Sequence, residues 1–333
     1  MRSIARITCT AAVAASILLA GAPPLWVHDV GAFTAPLGLA PDAIDPDGIR
    51  FRILTYNVHA LPEILAGDKP RRRLPLIGGR ISDDYDVALL QENFVFPRQL
   101  EKALTRTPFS LFNGNGPVTN ESPEAGFKQF LASIASRIFA GRGMPLSSGL
   151  TTVVINRQEL RATELVRRPF DVCDGYFLAK ADCLASKGVL GVRLAGPGVE
   201  VDLYNTHLDA RGSNANRDVR ERQLAIVAEE IRRHSQGRAV IVAGDLNSRR
   251  ANNLDRAMLE SFQQELGLLD AGARRAESWT QDGDLDYILY RSGPSTRLEP
   301  AGVGEDTGFR WGKGRKRLSD HPALFAHFRA VPR

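Results

Sequence analysis

The chain has 333 residues, of which 43% are hydrophobic and 24% charged, and its formal net charge is +5 at pH 7. This composition is ordinary for a soluble globular protein, and nothing in the sequence requires a repeat or solenoid architecture. The charge is only mildly basic. It neither demands nucleic acid, whose binders carry a concentrated basic stripe, nor excludes it.

The N-terminus has the layout of a secretory signal peptide. Arg2 and Arg6 precede an apolar segment at residues 7–20, which ends in small residues. The segment is too short to favour a permanent membrane span, and an uncleaved anchor is the alternative. Residues 1–22 are therefore predicted to be a signal peptide for export to the periplasm or the medium. Its removal takes away two arginines and lowers the net charge from +5 to about +3.

The rest of the chain is predicted to be one domain with an extended leader. Residues 23–50 are rich in Pro, Gly and Ala and are expected to lie extended over the domain surface. From residue 51 onward, strand-like and helix-like stretches alternate, and no Pro/Gly-rich linker of convincing length divides them. Residues 51–333 are therefore predicted to form a single α/β domain.

Two cysteines, Cys173 and Cys183, follow the predicted signal peptide at a short separation. In an exported protein they are predicted to form a disulfide that contributes roughly 2–3 kcal/mol to stability. Two buried free thiols are the alternative. A catalytic cysteine is disfavoured, because the neighbouring carboxylates of Asp171, Asp174 and Asp182 would raise a thiol pKa.

Apolar runs of strand length that end in polar residues are the main organising feature of the sequence. The clearest run is residues 239–243, after which Gly244 lets the backbone turn into Asp245 and Asn247. For this run alone, an ordinary Asp/Asn turn is an equal alternative. The other polar residues beside apolar runs are Asn57, Gln91, Glu92, Asn205, Thr206, His207, Asp209, Asp286, Ser319, Asp320 and His321. Such residues can converge on one rim of a sheet, and they suit a hard divalent cation and a phosphate better than a thiolate or zinc site.

Two segments carry apolar residues at helical spacing. The first, predicted to pack on the core, places them at Leu224, Val227, Ala228 and Ile231. The second lies in a long insert at residues 113–148 and places them at Phe127, Phe130, Leu131, Ile134 and Ile138. For the second segment, contact with lipid or a role as a lid is the alternative to core packing.

Six short motifs, TYNV, LLQEN, NTHLDA, GDLNS, LDYIL and SDHP, follow one another between residues 51 and 328. In this order the set resembles the motif series of the endonuclease/exonuclease/phosphatase superfamily. The resemblance implies a DNase I-like α/β (α+β) fold, a four-layer sandwich in which two mostly antiparallel β-sheets pack face to face with helices outside. Within the superfamily the chain most resembles the neutral sphingomyelinase branch. The residues that carry this second resemblance are Arg220, Arg222 and Gln223 after THLDA, and Asp182, Cys183, Lys187 and Gly188.

The resemblance implies metal-assisted cleavage of a phosphodiester by in-line attack of water. Glu92 is the expected ligand of Mg²⁺, with Mn²⁺ or another divalent cation as the alternative, because a hard cation takes carboxylate oxygens and keeps several waters. Asn57 resembles the family amide that holds Glu92 or a metal-bound water. Asp320 is expected to lie toward the metal.

His321 is predicted to accept the proton of the attacking water, because an unperturbed pKa of about 6.5 leaves it neutral and basic at physiological pH. Asp286 resembles the carboxylate that orients this histidine. Asp245 and Asn247 are expected to contact the water and a phosphate oxygen, with Asp245 a competing candidate for the base. His207 is expected to donate a hydrogen bond to the phosphate. No role is assigned to His28, His59, His234 or His327.

Three further features bear on the substrate. Asp209 stands where the sphingomyelinase-like enzymes usually have Gln, and it is expected to bind a second metal ion, to attract a choline-like cation, or to be a solvated loop residue. One basic region after NTHLDA contains Arg211, Arg217, Arg220 and Arg222. A second, beside Phe309 and Trp311, contains Lys313, Arg315, Lys316 and Arg317. Phosphate groups would favour both regions, and the second is expected to dock at a lipid surface or stack on bases unless it is a solvated charged loop.

The sequence favours an exported Mg²⁺-dependent phosphodiesterase that acts on a phospholipid such as sphingomyelin, touches the membrane surface and needs no obligate protein partner. The alternative is a secreted nuclease of the same fold that cleaves DNA or RNA. A non-catalytic binding module is disfavoured, because the expected ligand and base positions all keep competent residue types.

Overall fold

The apolar runs noted above form the strands that position the candidate site. The computed structural model describes residues 48–63, 67–104, 107–118, 130–131, 134, 146–157, 160–175, 182–273, 285–311 and 316–333. The strands are β1 (Ile49–Asn57), β2 (Val87–Gln91), β3 (Phe109–Asn113), β4 (Thr151–Ile155), β5 (Arg161–Pro169), β6 (Gly188–Gly196), β7 (Val199–His207), β8 (Ala239–Asp245), β9 (Leu269–Asp270), β10 (Asp286–Arg291), β11 (Thr296–Glu305), β12 (Arg310–Trp311), β13 (Lys316–Arg317) and β14 (Leu324–Pro332). The longer helices are α1 (Pro70–Asp84), α2 (Pro97–Leu104), α3 (Asn214–His234) and α4 (Asn253–Leu266).

Twelve of these strands form two six-stranded sheets. The first sheet has the order β11-β14-β1-β2-β4-β3 and the second the order β5-β6-β7-β8-β10-β9. Each sheet has one parallel pair near its centre, β1 with β2 and β7 with β8, and its other pairs are antiparallel. The prediction of two mostly antiparallel sheets is confirmed.

The buried side chains form three apolar layers. Inward-facing residues of both sheets pack against each other, including Ile53, Leu89, Leu203, Ile241 and Ile288. The outer face of the first sheet packs on α1 and α2 through residues such as Leu54, Leu90, Ile77 and Leu100. The outer face of the second sheet packs on α3 and α4 through residues such as Val242, Leu289, Val227 and Phe262. The predicted four-layer sandwich is therefore confirmed, with the central strands covered on both faces.

Because both faces of the central strands are covered, β8 is a continuous apolar run rather than an alternation of apolar and polar residues. All seven of its residues are buried. A strand that is buried on both faces cannot place polar side chains along its length without leaving them unsolvated. Its polar residue, Asp245, therefore stands at its carboxyl end, where the site begins.

Local sequence signals set the ends of the helices. Ser213 caps α3 by accepting a hydrogen bond from the Asn216 backbone N–H. Asn252 caps α4, and Gly267 ends it in the left-handed conformation at φ 65°. The predicted helix with Leu224, Val227, Ala228 and Ile231 is confirmed within α3, and those four side chains are buried. None of the helices in the described parts of the chain is long and apolar enough to cross a membrane.

Several predictions concern residues that the structure does not describe. The predicted signal peptide and the leader up to residue 47 lie outside the described residues. The chain enters β1 at Ile49, two residues before the predicted start of the domain. Of the apolar residues in the insert, Phe130, Leu131 and Ile134 are helical, and the others lie outside the described residues.

The expectation that Phe309 belongs to a lipid-docking loop is wrong. Phe309 is 2% exposed and packs in the layer between the first sheet and α1. Its ring lies 5.0 Å from that of Tyr56, edge to face. Trp311 is partly buried against the same layer, at the start of the β12–β13 hairpin. The sequence suggested a basic surface loop because charged residues follow both aromatics, whereas packing on the sheet takes the ring of Phe309 out of solvent.

Cys173 and Cys183 are joined by a disulfide, as predicted. The bond holds the short 3₁₀ helix Asp182–Leu184 against the segment that follows β5. Replacing both cysteines by Ala is expected to lower the free energy of unfolding by about 3 kcal/mol, because the cross-link restricts the unfolded chain. Denaturant unfolding of the oxidised wild type and the double variant measures the difference.

Dithiothreitol serves as the control for this prediction. It should bring the wild type to the stability of the double variant and leave the variant unchanged. Two titrating thiols in the unfolded, unreduced chain from residue 23 onward, which lacks Cys9, would contradict the pairing.

Candidate active site

The site lies where the two parallel strand pairs end. Asn57 and Gln91 are paired at the end of β1 and β2, and His207 and Asp245 are paired at the end of β7 and β8. Asp286 opens β10 directly opposite Asp245. Parallel strands end at the same edge of a sheet, so each pair delivers two polar residues to one rim, and face-to-face packing brings the two rims together.

Two buried amides fasten the sheets to each other beneath this rim. Gln91 Nε2 donates a hydrogen bond of 2.8 Å to Asn205 Oδ1. Asn205 Nδ2 donates in turn to the carbonyl oxygens of Leu90 and Thr151, at 3.0 and 3.1 Å. These bonds join β2 of one sheet to β7 of the other within two residues of Glu92 and His207.

Glu92 has the character of a cation ligand. It follows β2 in a left-handed conformation with φ 54°, which is uncommon for a residue with a side chain. Its Oε1 accepts a hydrogen bond of 3.0 Å from Asn57 Nδ2, whereas its Oε2 is buried and has no hydrogen-bond partner among the described residues. Burial alone would raise the pKa of Glu92, but the nearby His59 and Asn57 side chains lower that pKa to about 2. An ionised carboxylate with one buried oxygen that accepts no hydrogen bond fits a hard divalent cation.

Asn57 links the carboxylates of the two sheets. Its Nδ2 donates to Glu92 and also to Asp245 Oδ2, at 3.0 and 3.1 Å. Its Oδ1 accepts a hydrogen bond from the His59 backbone N–H. Asp320 lies on the outer side of this group, with its side chain 58% exposed and its Oδ2 3.5 Å from His59 Nδ1. Of the three residues expected near the metal, Asn57 and Glu92 are thus in direct contact, and His59 lies between Glu92 and Asp320.

His59 is a site residue that the sequence analysis missed. Its Nδ1 lies 3.5 Å from Glu92 Oε2 and 3.5 Å from Asp320 Oδ2. The Glu92 carboxylate is the main cause of a raised pKa for His59, with Asp320 adding to it. One sequence feature could have pointed to it. His59 follows the end of β1 by two residues, just as the predicted site residue Asn247 follows the end of β8 by two residues.

His321 forms a close pair with Asp286. Its Nδ1 lies 2.9 Å from Asp286 Oδ2, and its Nε2 lies 3.6 Å from Asp245 Oδ2. Burial alone would lower the pKa of His321, but the two carboxylates raise it to about 11. Ser319 fastens the segment before His321 to the end of β1, because its Oγ donates to the Asn57 carbonyl oxygen at 2.6 Å. The ring is therefore oriented by a buried carboxylate and carries a proton in the metal-free protein at neutral pH.

Asp245 is the point at which these contacts meet. Its Oδ2 accepts a hydrogen bond from Asn57 Nδ2. The same oxygen lies 3.6 Å from His321 Nε2 and 3.5 Å from His207 Nε2. Its Oδ1 accepts a hydrogen bond from the Asn247 backbone N–H, and Asn247 Nδ2 donates to the Leu208 carbonyl oxygen. Burial is the main cause that raises the pKa of Asp245 to about 6. The three side chains Asp245, Asp286 and His321 also lie close enough together to hold a metal ion.

His207 is buried and neutral. Burial, with a further contribution from the positive charge of Lys187, lowers its pKa to about 3. Lys187 is itself buried, and its Nζ donates to Asp182 Oδ1 at 2.7 Å and to the Leu208 carbonyl oxygen at 2.8 Å. The imidazole is therefore a neutral hydrogen-bonding group at physiological pH rather than an imidazolium.

The expectations for Asp209 are wrong. Asp209 is 0% exposed, so it is not a solvated loop residue. Both of its carboxylate oxygens are occupied, by Gln223 Nε2 at 2.8 Å and by the Asp174 backbone N–H at 2.6 Å. A carboxylate used in this way fastens the loop after β7 to α3, and leaves neither oxygen directed at a cation or a choline-like group.

The basic region after β7 divides into structural and exposed residues. Arg220 is fully buried and donates to Asp255, which also accepts from Arg217. These two guanidinium groups tie α3 to α4 and are not available to phosphate. Arg211 and Arg222 are exposed. In the second region, Lys313 and Arg315 lie outside the described residues, and Arg317 pairs with Glu305 at 3.2 Å.

The four-layer sandwich and its rim of carboxylates, amides and histidines define a protein of the DNase I-like class. A family model described as Endonuclease/Exonuclease/phosphatase family matches residues 54–321. The chain belongs to this family.

Particular relatives are also similar to the chain. A sphingomyelinase of Mycobacterium tuberculosis is 30% identical over 330 residues, which cover 92% of this chain and 58% of the relative. The chain thus spans less than two thirds of that relative's length. A structure of beta toxin from Staphylococcus aureus with bound magnesium ions has a TM-score of 0.54 at 15% identity, covering 84% of this chain and 99% of that one. A structure of D. rerio TDP2 complexed with single-strand DNA product has a TM-score of 0.53 at 16% identity, covering 84% and 98%.

Proposed function

We propose that the chain is a divalent-cation-dependent phosphodiesterase that cleaves its substrate by in-line attack of water. The observation that carries this proposal is the convergence of Glu92 with the Asp245, Asp286 and His321 group at the joint rim of the two sheets. The ionised Glu92 carboxylate offers one unused oxygen to a cation, and the histidine–carboxylate group offers a proton-transfer system a few ångströms away. Metal-assisted hydrolysis of a phosphodiester uses both.

Glu92 and Asn57, with Asp320 on the outer side, would hold Mg²⁺ or another divalent cation. When bound, the cation polarises the phosphate and neutralises its charge. Magnesium is supported by the carboxylate oxygens of Glu92 and Asp320, while Asn57 orients Glu92 through its amide N–H. The beta toxin structure with bound magnesium adds support at the level of the fold.

His321 and Asp245 are proposed to accept the water proton as a pair. His321 is protonated in the metal-free protein because of Asp286 and Asp245. It can accept a proton from water only when its own has moved, and Asp245 Oδ2 at 3.6 Å is a neighbouring carboxylate oxygen with a pKa near neutrality. At 3.6 Å the two groups are too far apart for a direct hydrogen bond but close enough for their charges to interact, so their pH behaviour belongs to the pair.

Asn247 and His207 are proposed to contact the phosphate. Asn247 stands in a left-handed conformation at φ 49°, held by Asp245 and by the Leu208 carbonyl oxygen. His207 is neutral and buried beside Asp245. Both are fixed before substrate arrives, which lowers the cost of organising donors around a developing negative charge.

The proposed substrate is a phospholipid of the sphingomyelin type. The support is the similarity to the mycobacterial sphingomyelinase, which extends over 92% of the chain. The proposal includes action at a membrane surface, but not through Phe309, which is buried. It also includes export, for which the disulfide offers support, because disulfides persist mainly in oxidising compartments.

Nucleic acid is the second candidate substrate. Arg211 and Arg249 are exposed and follow His207 and Asn247 by a few residues, so a phosphate backbone crossing the rim would meet two cations. The TDP2 structure with single-strand DNA product supports a path for nucleic acid only at the level of the fold.

Hydrolysis of sphingomyelin vesicles against single-stranded and plasmid DNA, each with Mg²⁺ and with chelator, separates the candidates. Phosphocholine release that chelator and Glu92→Gln both abolish would support the lipid substrate. DNA cleavage without lipid turnover, with a rate that falls steeply as salt rises, would replace it with the nuclease. No metal-dependent hydrolysis of either would overturn the substrate proposal.

A further inference from the structure

We propose that His59 is a nitrogen ligand of the divalent cation at Glu92, and that it shifts the preference of this site from Mg²⁺ toward Mn²⁺ and Co²⁺. The inference rests on the proposed function only in taking Glu92 as a cation ligand. It concerns a residue to which neither the motif series nor the family resemblance gave a role.

The separation of the two candidate ligand atoms suits a shared ion. Nitrogen and carboxylate oxygen ligands lie about 2.0–2.2 Å from such ions, so two ligands of one ion are at most about 4.4 Å apart. His59 Nδ1 and Glu92 Oε2 are 3.5 Å apart. Glu92 Oε2 is also the buried oxygen without a hydrogen-bond partner among the described residues. One ion can therefore contact both atoms with little movement of either side chain.

The position of His59 is fixed by its backbone. Its φ is 47°, in the left-handed region, which costs energy for a residue with a side chain. The conformation is held by a hydrogen bond of 3.0 Å from the His59 N–H to Asn57 Oδ1 and by one of 2.8 Å from Arg73 Nη2 to the His59 carbonyl oxygen. Arg73 is buried and also binds Asp68.

The next residue fastens the same segment to Glu92. The Ala60 N–H donates to the Glu92 carbonyl oxygen at 3.0 Å. The backbones that carry the two candidate ligands are thus bonded to each other, and both stand in strained left-handed conformations. Strained backbone at two residues that lie side by side in space, each held by hydrogen bonds to its surroundings, is typical of a preorganised binding site.

A different role for His59 is a purely ionic one. In that role, the protonated ring would bridge Glu92 and Asp320, from each of which it lies 3.5 Å, and would never bind the metal. The two roles differ in the atoms that contact the ion. An imidazole nitrogen favours Mn²⁺, Co²⁺ and later metals over Mg²⁺, which strongly prefers oxygen, whereas an ionic bridge adds no such preference.

Pulsed electron paramagnetic resonance of Mn²⁺ bound to the full chain tests the proposal directly. A coordinated imidazole gives the spin a resolved nitrogen coupling, and labelling histidine with ¹⁵N changes that coupling without any substitution. We expect the coupling in the wild type and its loss in His59→Asn. Asparagine is chosen because it tolerates the left-handed conformation. His327→Asn, on β14 beside Arg52 and away from the rim, is the matched control and should keep the coupling.

Calorimetric titration of the same proteins supplies the second readout. His59→Asn should weaken Mn²⁺ binding by at least about 10-fold, as loss of a metal-site group does, and should weaken Mg²⁺ binding less. Equal loss for both ions, no nitrogen coupling in the wild type, or a coupling that persists in His59→Asn would overturn the proposal. The persisting coupling would point to His207 or His321 instead.

Glu92→Gln separates this proposal from the proposed function. If Mn²⁺ binding does not depend on Glu92, the proposed cation site itself is wrong. If binding depends on Glu92 but shows no coupling from His59, the site stands and only the role of His59 fails.

Discussion

Glu92→Gln is expected to lower metal-dependent hydrolysis by about 10³-fold or more, since a bound cation supplies several kcal/mol of transition-state stabilisation. The Glu92 carboxylate is ionised at any working pH because its pKa is lowered to about 2. The variant side chain keeps the size and removes the negative charge. The rate with saturating Mg²⁺ and the calorimetric affinity for Mg²⁺ are the two measurements, and both should fall.

The fold should survive this substitution. The lowered pKa of Glu92 means that its charge is net stabilising in the folded state, so the variant should be somewhat less stable, but Asn57 can still donate to the new amide oxygen. Glu260→Gln, an exposed residue on α4 that lies beside Arg256, is the matched control and should leave rate and affinity unchanged. Full metal-dependent activity in Glu92→Gln would remove Glu92 from the cation site.

His321→Gln and Asp286→Asn are each expected to lower the rate by about 10²–10⁴-fold, the range for loss of a positioned proton acceptor or of the carboxylate that orients it. The two act as a unit through the 2.9 Å contact between His321 Nδ1 and Asp286 Oδ2. The double variant should therefore be little worse than either single one. His327→Gln is the control for the loss of a histidine elsewhere. Losses that multiply in the double variant would mean that the two residues act separately.

The stability of the metal-free protein offers an independent check on the same pair. The folded pKa of His321 is raised to about 11 from 6.5, so the folded state holds this proton more tightly than the unfolded chain does. The stabilisation is fully present below pH 6.5 and is lost as the pH rises toward 11. In denaturant unfolding with chelator, the gap between wild type and His321→Gln should be wide at pH 6 and should narrow by pH 10. A gap that is the same at both pH values would contradict the charged pair.

The motif order predicted which residues would form the rim, but not how each would be used. Apolar runs that end in Asn57, Glu92, His207 and Asp245 could be read as strands because a doubly covered strand leaves room for polar groups only at its ends. His59 was passed over because it stands two residues beyond the end of β1, and nothing local indicates that the chain turns its ring back toward Glu92. Its place beside Glu92 depends on a left-handed turn and on Arg73, which lies fourteen residues further along the chain.

Burial decided the other differences. Asp209 and Arg220 look like surface groups in the sequence because they are charged, and Phe309 because a basic, glycine-containing stretch follows it. In the fold each has a specific partner, Gln223 for Asp209, Asp255 for Arg220 and Tyr56 for Phe309. Such long-range partners cannot be derived from local pattern, because they depend on how α3, α4 and the first sheet pack.

By itself, the sequence predicted the strands that carry the site, the helix α3 and the chemical types at the rim, because these follow from local periodicity and residue order. It also predicted the disulfide, because two closely spaced cysteines follow a predicted signal peptide. Only the tertiary structure decided the proton states, the partner of each carboxylate and the inclusion of His59. The physical reason is that pKa values and hydrogen bonds depend on distances of a few ångströms between residues far apart in the chain, and the packing of two sheets is what sets those distances.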